Sequence, residues 1–232
     1  MNHLVLFDID NTLVQSSSGH MQALLETIKD VYRIEANIGV INHHGMTDQE
    51  IITRILGKYD VDTKTIQSNL KECIKRMPLK YEKIVASENI IILQGVYDLL
   101  TSIDQLGLLI GLVTGNVEKI AHAKLKKIGI DHFFKIGGFG SDHINRANLV
   151  KIAIKRAADR IGIATAGNIF LFGDAPQDMR AANEAGATPI GVTTGIFSAE
   201  QLEAAGARKI VPDLTHVDHI TEFLLRFSEM KK

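Results

Sequence analysis

The chain has 232 residues, 45% of them hydrophobic and 23% charged, with a formal net charge of -1, which is ordinary globular usage with room for one core and a small second domain. Near-neutral charge without a polybasic segment argues against a nucleic-acid polymer as partner, while nucleotides as small substrates stay open. A single cysteine, Cys73, excludes an intrachain disulfide, and because no run of about 18 apolar residues occurs, no membrane span is expected and the cytoplasm is the default location.

The first apolar run, LVLF at 4–7, ends in FDIDNTLV, so two carboxylates stand at the end of a strand that reads as buried. Unpartnered carboxylates there are costly, and two together are worse. The next stretch, 15–92, reads as consecutive amphipathic helices over 20–32, 48–59, 63–77 and 79–87, with no strand among them. Thr47 followed by Glu50 is a capping-box signature for the second of these. Cys73 reads as a small hydrophobe on a helix. From Gly95 onward, apolar runs at 108–113, 169–172, 189–192 and 209–211 alternate with helical segments at 95–107, 116–129, 147–162, 176–186, 198–206 and 216–227. Several of these helices close on Gly, and Ser198 with Gln201 makes a second capping box. Continuous rather than alternating hydrophobicity predicts strands covered on both faces. The expected fold is α/β, a doubly wound parallel sheet formed by residues 1–14 and 93–232, with an all-helical domain of residues 15–92 inserted after the first strand.

In open parallel sheets, ligands bind beyond the carboxyl ends of the strands. The first strand is followed by Asp8, Asp10 and Thr12, the second by Thr114, Gly115 and Asn116, and the 169–172 run by Gly173, Asp174 and Asp178. Four carboxylates and two hydroxyl residues thus converge on one edge. Oxygen ligands at this density, with no His or Cys in the same turns, suit Mg²⁺. Asp8 and Asp10, two apart, face the same volume. One carboxylate can attack phosphorus to give an acyl-phosphate while the other manages the protons of the leaving alkoxide and the attacking water.

These residues resemble the haloacid dehalogenase superfamily of aspartyl-phosphate hydrolases. Its DxDxT motif is matched by Asp8, Asp10 and Thr12 in FDIDNTLV, its second motif by Thr114 in GLVTGN, and its GDxxxD motif by Asp174 and Asp178 in FGDAPQD. The helical insertion is similar to that superfamily's C1 cap, and the PIGVTTGIFSAEQLEAAGARKIV segment to the phosphoglycolate phosphatase-like group. The resemblance implies Asp8 as nucleophile, Asp10 as general acid and base, and Thr114 as a phosphate ligand. It implies that Asp8, the backbone carbonyl of Asp10, and Asp174 hold Mg²⁺, with Asp178 beside them, while Thr12, Gly115 and Asn116 belong to the substrate-binding loops.

The third motif departs from the family pattern, which places a Lys before the helix preceding the GD strand. Here Arg146 stands at the expected helix entrance and Lys151, a candidate to contact the substrate, farther along. Arg146 is favoured because the entrance faces the carboxylate edge, and Arg keeps the charge without being a neutral swap for Lys. In the insertion, SSSGH (16–20) and NHHGMTDQE (42–50) are polar turns in which His20, His43, His44 and Gly45 are candidates to touch the substrate. Asp10 favours phosphate ester cleavage over dehalogenation or phosphonate cleavage. The expectation is a Mg²⁺-dependent phosphomonoesterase acting on a phosphoglycolate-like ester, a sugar phosphate or a nucleoside monophosphate, as a monomer or homodimer. A sugar phosphate mutase of the β-phosphoglucomutase type and a receiver-like phosphate-binding regulator are the alternatives.

Overall fold

Strand β1 (Leu4–Phe7) is buried along its whole length and lies at the centre of a six-stranded parallel sheet. A computed structural model describes residues 3–16, 18–161 and 168–227; the predicted helix end at Gly162 and Ser17 of the SSSGH turn lie outside them. The other strands of the sheet are β4 (Leu109–Thr114), β5 (Ile136–Phe139), β6 (Ile169–Gly173), β7 (Thr188–Val192) and β8 (Lys209–Val211), in the order β5-β4-β1-β6-β7-β8. Phe7 is in register with Leu112 on one side and Phe172 on the other, and β4 runs two residues and β6 one residue beyond that level. The chain winds outward from β1 first through β4 and β5, then through β6, β7 and β8. The crevice between β1 and β6 is therefore the topological switch point, where open α/β sheets bind ligands.

Side chains of β1 alternate between two cores. Val5 and Phe7 pack on one face with α4 (Val96–Gln105), α5 (Glu118–Lys127) and α9 (Val217–Arg226). Leu4 and Leu6 pack on the other with α6 (Arg146–Ile161) and α7 (Pro176–Glu184). Each such buried apolar side chain contributes about 1.5–3 kcal/mol. The short helix α8 (Ala199–Ala204) follows β7, and its capping box is reciprocal: Ser198 accepts from the Gln201 N–H and Gln201 accepts from the Ser198 N–H.

A helical lobe is formed by α1 (Gly19–Tyr32), α2 (Asp48–Lys58) and α3 (Thr63–Ile84). Ala23, Leu24 and Ile28 of α1 bury against Ile51, Ile52, Ile55 and Leu56 of α2 and Met77 and Tyr81 of α3; the cluster continues into Val117 and Ile120 beneath the lobe. Three expectations need correction. The helices read at 63–77 and 79–87 are one helix running through Pro78. Pro78 has no N–H for the preceding turn, but Met77, Pro78 and Tyr81 are all buried, and their packing carries the helix through. The insertion is also not wholly helical: β2 (Val14–Ser16) pairs antiparallel with β3 (Ile90–Ile92), so the two chain crossings into and out of the lobe lie side by side. Finally, β5 was not expected as a strand. Its sequence IGGF lacks an apolar run because a Cβ on Gly138 would lie 2.0 Å from the Leu149 carbonyl oxygen of α6.

Candidate active site

Beyond the carboxyl ends of β1, β4 and β6, a cavity of about 210 Å³ opens between the sheet and the helical lobe. Its floor begins with Asp8, whose N–H still bonds the Phe172 carbonyl at 2.9 Å and so extends the β1–β6 ladder by one residue. The chain then turns sharply: Asn11 takes a left-handed conformation, φ 61°, and the N–H groups of Leu13 and Val14 both return to the Ile9 carbonyl. The turn leaves Asp8 and Asp10 lining the same cavity.

Arg146, the first residue of α6, donates from Nη2 to Asp8 Oδ1 at 2.6 Å, from Nε to Asp178 Oδ1 at 2.7 Å and from Nη1 to the Gly45 carbonyl at 3.3 Å. One guanidinium thus ties β1, α7 and the lobe turn together, with the fork geometry that suits paired oxygens. Lys151, the other candidate for this position, is half exposed and pairs with Glu184 at 3.0 Å. It lies away from the cavity because the entrance of α6, not its second turn, reaches the strand ends. Its expected contact with substrate is corrected accordingly.

Asp8, Asp174 and Asp178 are buried, and each offers one oxygen within 4.8 Å of the others, a hard-donor cluster that fits a divalent cation. Burial first, then the Asp178 and Asp10 charges, raise the Asp8 carboxyl to about 7 despite Arg146. Burial and the Asp8 and Asp178 charges raise Asp174 to about 8. Gly195 faces this cluster, and a Cβ there would lie 1.9 Å from Asp174 Oδ2. Arg146 itself is held charged: burial opposes it, but Asp178 and Asp8 raise its pKa further. Asp178 also accepts the Ala175 N–H at 3.1 Å, which fixes its carboxylate at the start of α7.

Asp10 has different company. Lys124 Nζ lies 2.7 and 2.9 Å from its two oxygens, Asn116 Nδ2 donates to it at 2.7 Å and Ser16 Oγ at 3.1 Å. Burial works against this carboxylate, but Lys124 and then His20 outweigh it and hold its pKa at about 2. Asn116 Nδ2 also donates to Thr114 Oγ1 at 2.8 Å, so the second-motif loop is braced against Asp10. Thr114 and Thr12 are fully buried below the cavity wall; Gly115, Asn116, His20 and Gly45 line it. Thr12 Oγ1 has no hydrogen-bond partner among the described residues.

The lobe is docked on the core loops by its 44–49 segment. Asp48 donates its N–H to the Gly115 carbonyl at 2.9 Å and accepts the Val117 N–H at 2.8 Å. Thr47 Oγ1 donates to the Ile144 carbonyl at 2.9 Å, Gln49 to Gly140 at 2.7 Å, and Gln177 to the His44 carbonyl at 2.9 Å. Lys124 and Asp48 escape a reading of the sequence by motifs. The signal for Lys124 was its place on α5: Ile120, Ala121 and Leu125 form the buried stripe, and Lys124 falls within it, not on the solvated face. Asp48 reads as an ordinary acidic residue of a helix's first turn.

The family model described as haloacid dehalogenase-like hydrolase matches residues 5–192. Among curated proteins, a probable phosphatase, IndB, from Dickeya dadantii is 26% identical over 98% of this chain and 97% of its own length. The phosphoglycolate phosphatase of Escherichia coli is 27% identical over 86% of this chain and 84% of its own. Among solved structures, a hydrolase from Pseudomonas syringae superposes with a TM-score of 0.67 at 24% identity, over 95% of this chain and 99% of that one.

Proposed function

The chain belongs to the haloacid dehalogenase-like hydrolases, and from that premise we propose that it is a Mg²⁺-dependent phosphomonoesterase working through an aspartyl-phosphate on Asp8. The observation that carries this reading is the division of labour between the two aspartates. Asp8 sits in the buried cluster with Arg146, Asp174 and Asp178, while Asp10, two residues on, is separately held at the cavity wall. In this reading an Asp8 oxygen attacks phosphorus and the bond to the ester oxygen breaks. Asp10, which Lys124 holds ionised in the metal-free site, takes up a proton as the ester binds and gives it to the departing alkoxide, and later takes one from the water that hydrolyses the acyl-phosphate. Arg146 neutralises Asp8 and offers a bidentate grip to the phosphate; Thr114 and the backbone donors at Gly115 and Asn116 orient it. Asp8, the Asp10 carbonyl and Asp174, with Asp178 beside them, would hold Mg²⁺. When bound, the ion supplies charge neutralisation of the transferred group's oxygens.

Residues 15–92 act in this proposal as the cap that selects the ester. His20, Met21, His43, His44, Met46 and Ile51 face the cavity from the lobe. The cavity volume of about 210 Å³ lies below the roughly 300–1,000 Å³ of drug-sized sites, which favours the smaller members of the expected substrate range over a nucleoside monophosphate. Both cations lining the cavity, Lys124 and Arg146, are engaged by carboxylates. That favours a leaving group without a second acid over phosphoglycolate itself. Phosphate release over a panel of small esters, including glycerol phosphate, a hexose phosphate and phosphoglycolate, with Mg²⁺ and with EDTA, tests the proposal on wild type and Asp8→Asn. Mg²⁺-dependent release abolished by the substitution is expected. Undiminished activity in Asp8→Asn would sink the covalent route, and isomerisation of a hexose 1-phosphate without net release would replace it with the mutase reading.

A further inference from the structure

A second crevice between lobe and core, a groove of about 550 Å³, falls within the roughly 300–1,000 Å³ of small-ligand sites. His44 and Met46 line both this groove and the active cavity, so their turn is a wall shared by the two. The lobe contributes Arg54 and Lys58 of α2, and the core contributes Arg180 of α7. Val40 and Ile41 from the lobe and Phe197 from the core give the groove apolar surface. No residue lining it is acidic. In the active cavity each cation meets a carboxylate, Lys124 on Asp10 and Arg146 on Asp8. In the groove only Arg54 does so, bonding Glu50 of its own helix at 2.7 Å. Lys58 and Arg180 are exposed and form no ion pair among the described residues. The last turn of a helix suits a cation such as Lys58, but Arg180 lies in the middle of α7. Glu184, four residues on and the natural helical partner of Arg180, pairs with Lys151 instead. Two uncompensated cations, one from each body, therefore line one crevice, where their repulsion opposes docking of the lobe until an anion joins them.

We propose that this groove binds a small aliphatic dicarboxylate, with one acid on Lys58 of the lobe, the other on Arg180 of the core, and the carbon chain along Val40, Ile41 and Phe197. Each unpaired cation stands alone on its wall, so each end of the ligand needs a single negative charge, which a carboxylate carries and a phosphate dianion exceeds. A ligand held by both bodies favours the docked lobe. Gln177, on the core wall of the groove, already donates to the His44 carbonyl at 2.9 Å, so occupancy steadies the turn that closes the active cavity. Asp8, Asp174 and Asp178 do not line the groove, and the inference does not depend on the chemistry proposed for them.

The test is calorimetric titration of the full chain in EDTA with malonate, succinate, glutarate, adipate and suberate, and with butyrate as the single acid. Saturable binding at one site is expected, strongest at one chain length and tighter than that of butyrate. Lys58→Ala and Arg180→Ala, both at exposed positions, should each weaken the best diacid about tenfold or more. Lys126→Ala, which removes an exposed lysine on α5, should leave its affinity unchanged. Lys58→Glu places a carboxylate on the wall facing Arg180 and should abolish binding. Amide hydrogen exchange supplies the second readout: the best diacid should slow exchange in the 44–49 segment of wild type but not of Arg180→Ala. Absence of saturable binding by every diacid, or affinity unchanged in either Ala variant, would overturn the inference. Butyrate binding as tightly as the best diacid would also overturn it, by showing an anion held on one wall. Diacid binding that leaves exchange at 44–49 unaltered would defeat the claim that the ligand holds the lobe on the core.

Discussion

Replacing Arg146 by Ala removes the one guanidinium that bridges Asp8 and Asp178, at 2.6 Å to each. All three side chains are nearly or wholly buried, 9%, 9% and 0% exposed, so water does not take over the lost contacts. Removing one partner of a buried pair costs about 3–5 kcal/mol, because the remaining charge is left uncompensated. The loss should depend on pH. Arg146 acts on charged carboxylates, so its contribution is present where they are ionised and fades as pH falls through their pKa values, with Asp8 at about 7 even while Arg146 is in place. In EDTA, urea unfolding of Arg146→Ala should show the full deficit at about pH 8.5 and a clearly smaller one at about pH 5. Lys151→Ala is the matched control. Its ion pair with Glu184 is 47% and 59% exposed, and an exposed pair is worth about 0–1 kcal/mol. Equal deficits in the two variants, or an Arg146→Ala deficit that does not shrink in acid, would refute the reasoning.

The raised carboxyls of Asp8 and Asp174, at about 7 and about 8, make the metal-free protein pH-sensitive. Their contribution to stability is fully present below the ordinary carboxylate range and is lost as pH rises through those values. Thermal unfolding in EDTA should therefore occur at lower temperature at about pH 8.5 than at about pH 6, and Mg²⁺ should raise the midpoint more at the higher pH; equal Mg²⁺ shifts at both would contradict this. Gly195→Ala should abolish the Mg²⁺-dependent part of that shift while leaving the metal-free protein folded, since its Cβ would fall 1.9 Å from Asp174 Oδ2. An unchanged Mg²⁺ shift in that variant would show that Asp174 does not face the ion.

The strands that carry the carboxylates were legible because burial on both faces writes itself as an unbroken apolar run, as in Leu4 to Phe7 and Ile169 to Phe172. The turn residues following those runs then located the candidate site without reference to the rest of the chain. What the sequence concealed depends on tertiary approach. Strand β5 gave up its side chain at Gly138 to admit α6 and at Gly137 to admit the Phe139 ring, and lost its hydrophobic signature with them. Pro78 reads as a helix boundary by local rules, which the buried packing around it overrides. The three-residue strands β2 and β3 are too short to show a period.

The site divided in the same way. Arg146 was legible from its place at a helix entrance, and its contacts with Asp8 and Asp178 separate it from Lys151. Lys124 was not, because a lysine in KLKK looks like a solvated face until the helix phase is followed residue by residue. Asp48 was hidden for another reason: its partners, His20, Gly115 and Val117, come from separate segments of the chain and meet only when the lobe rests on the loop after β4.

The central claim is that Asp8 carries the phosphoryl group. Wild-type protein should be mixed with a hydrolysed ester and Mg²⁺, quenched in acid within a single turnover, digested and analysed by mass spectrometry. The account predicts one phosphoryl group on the peptide containing Asp8, lost on longer incubation and absent in Asp8→Asn. Turnover with no such adduct at any quench time, or an adduct on another residue, would contradict it.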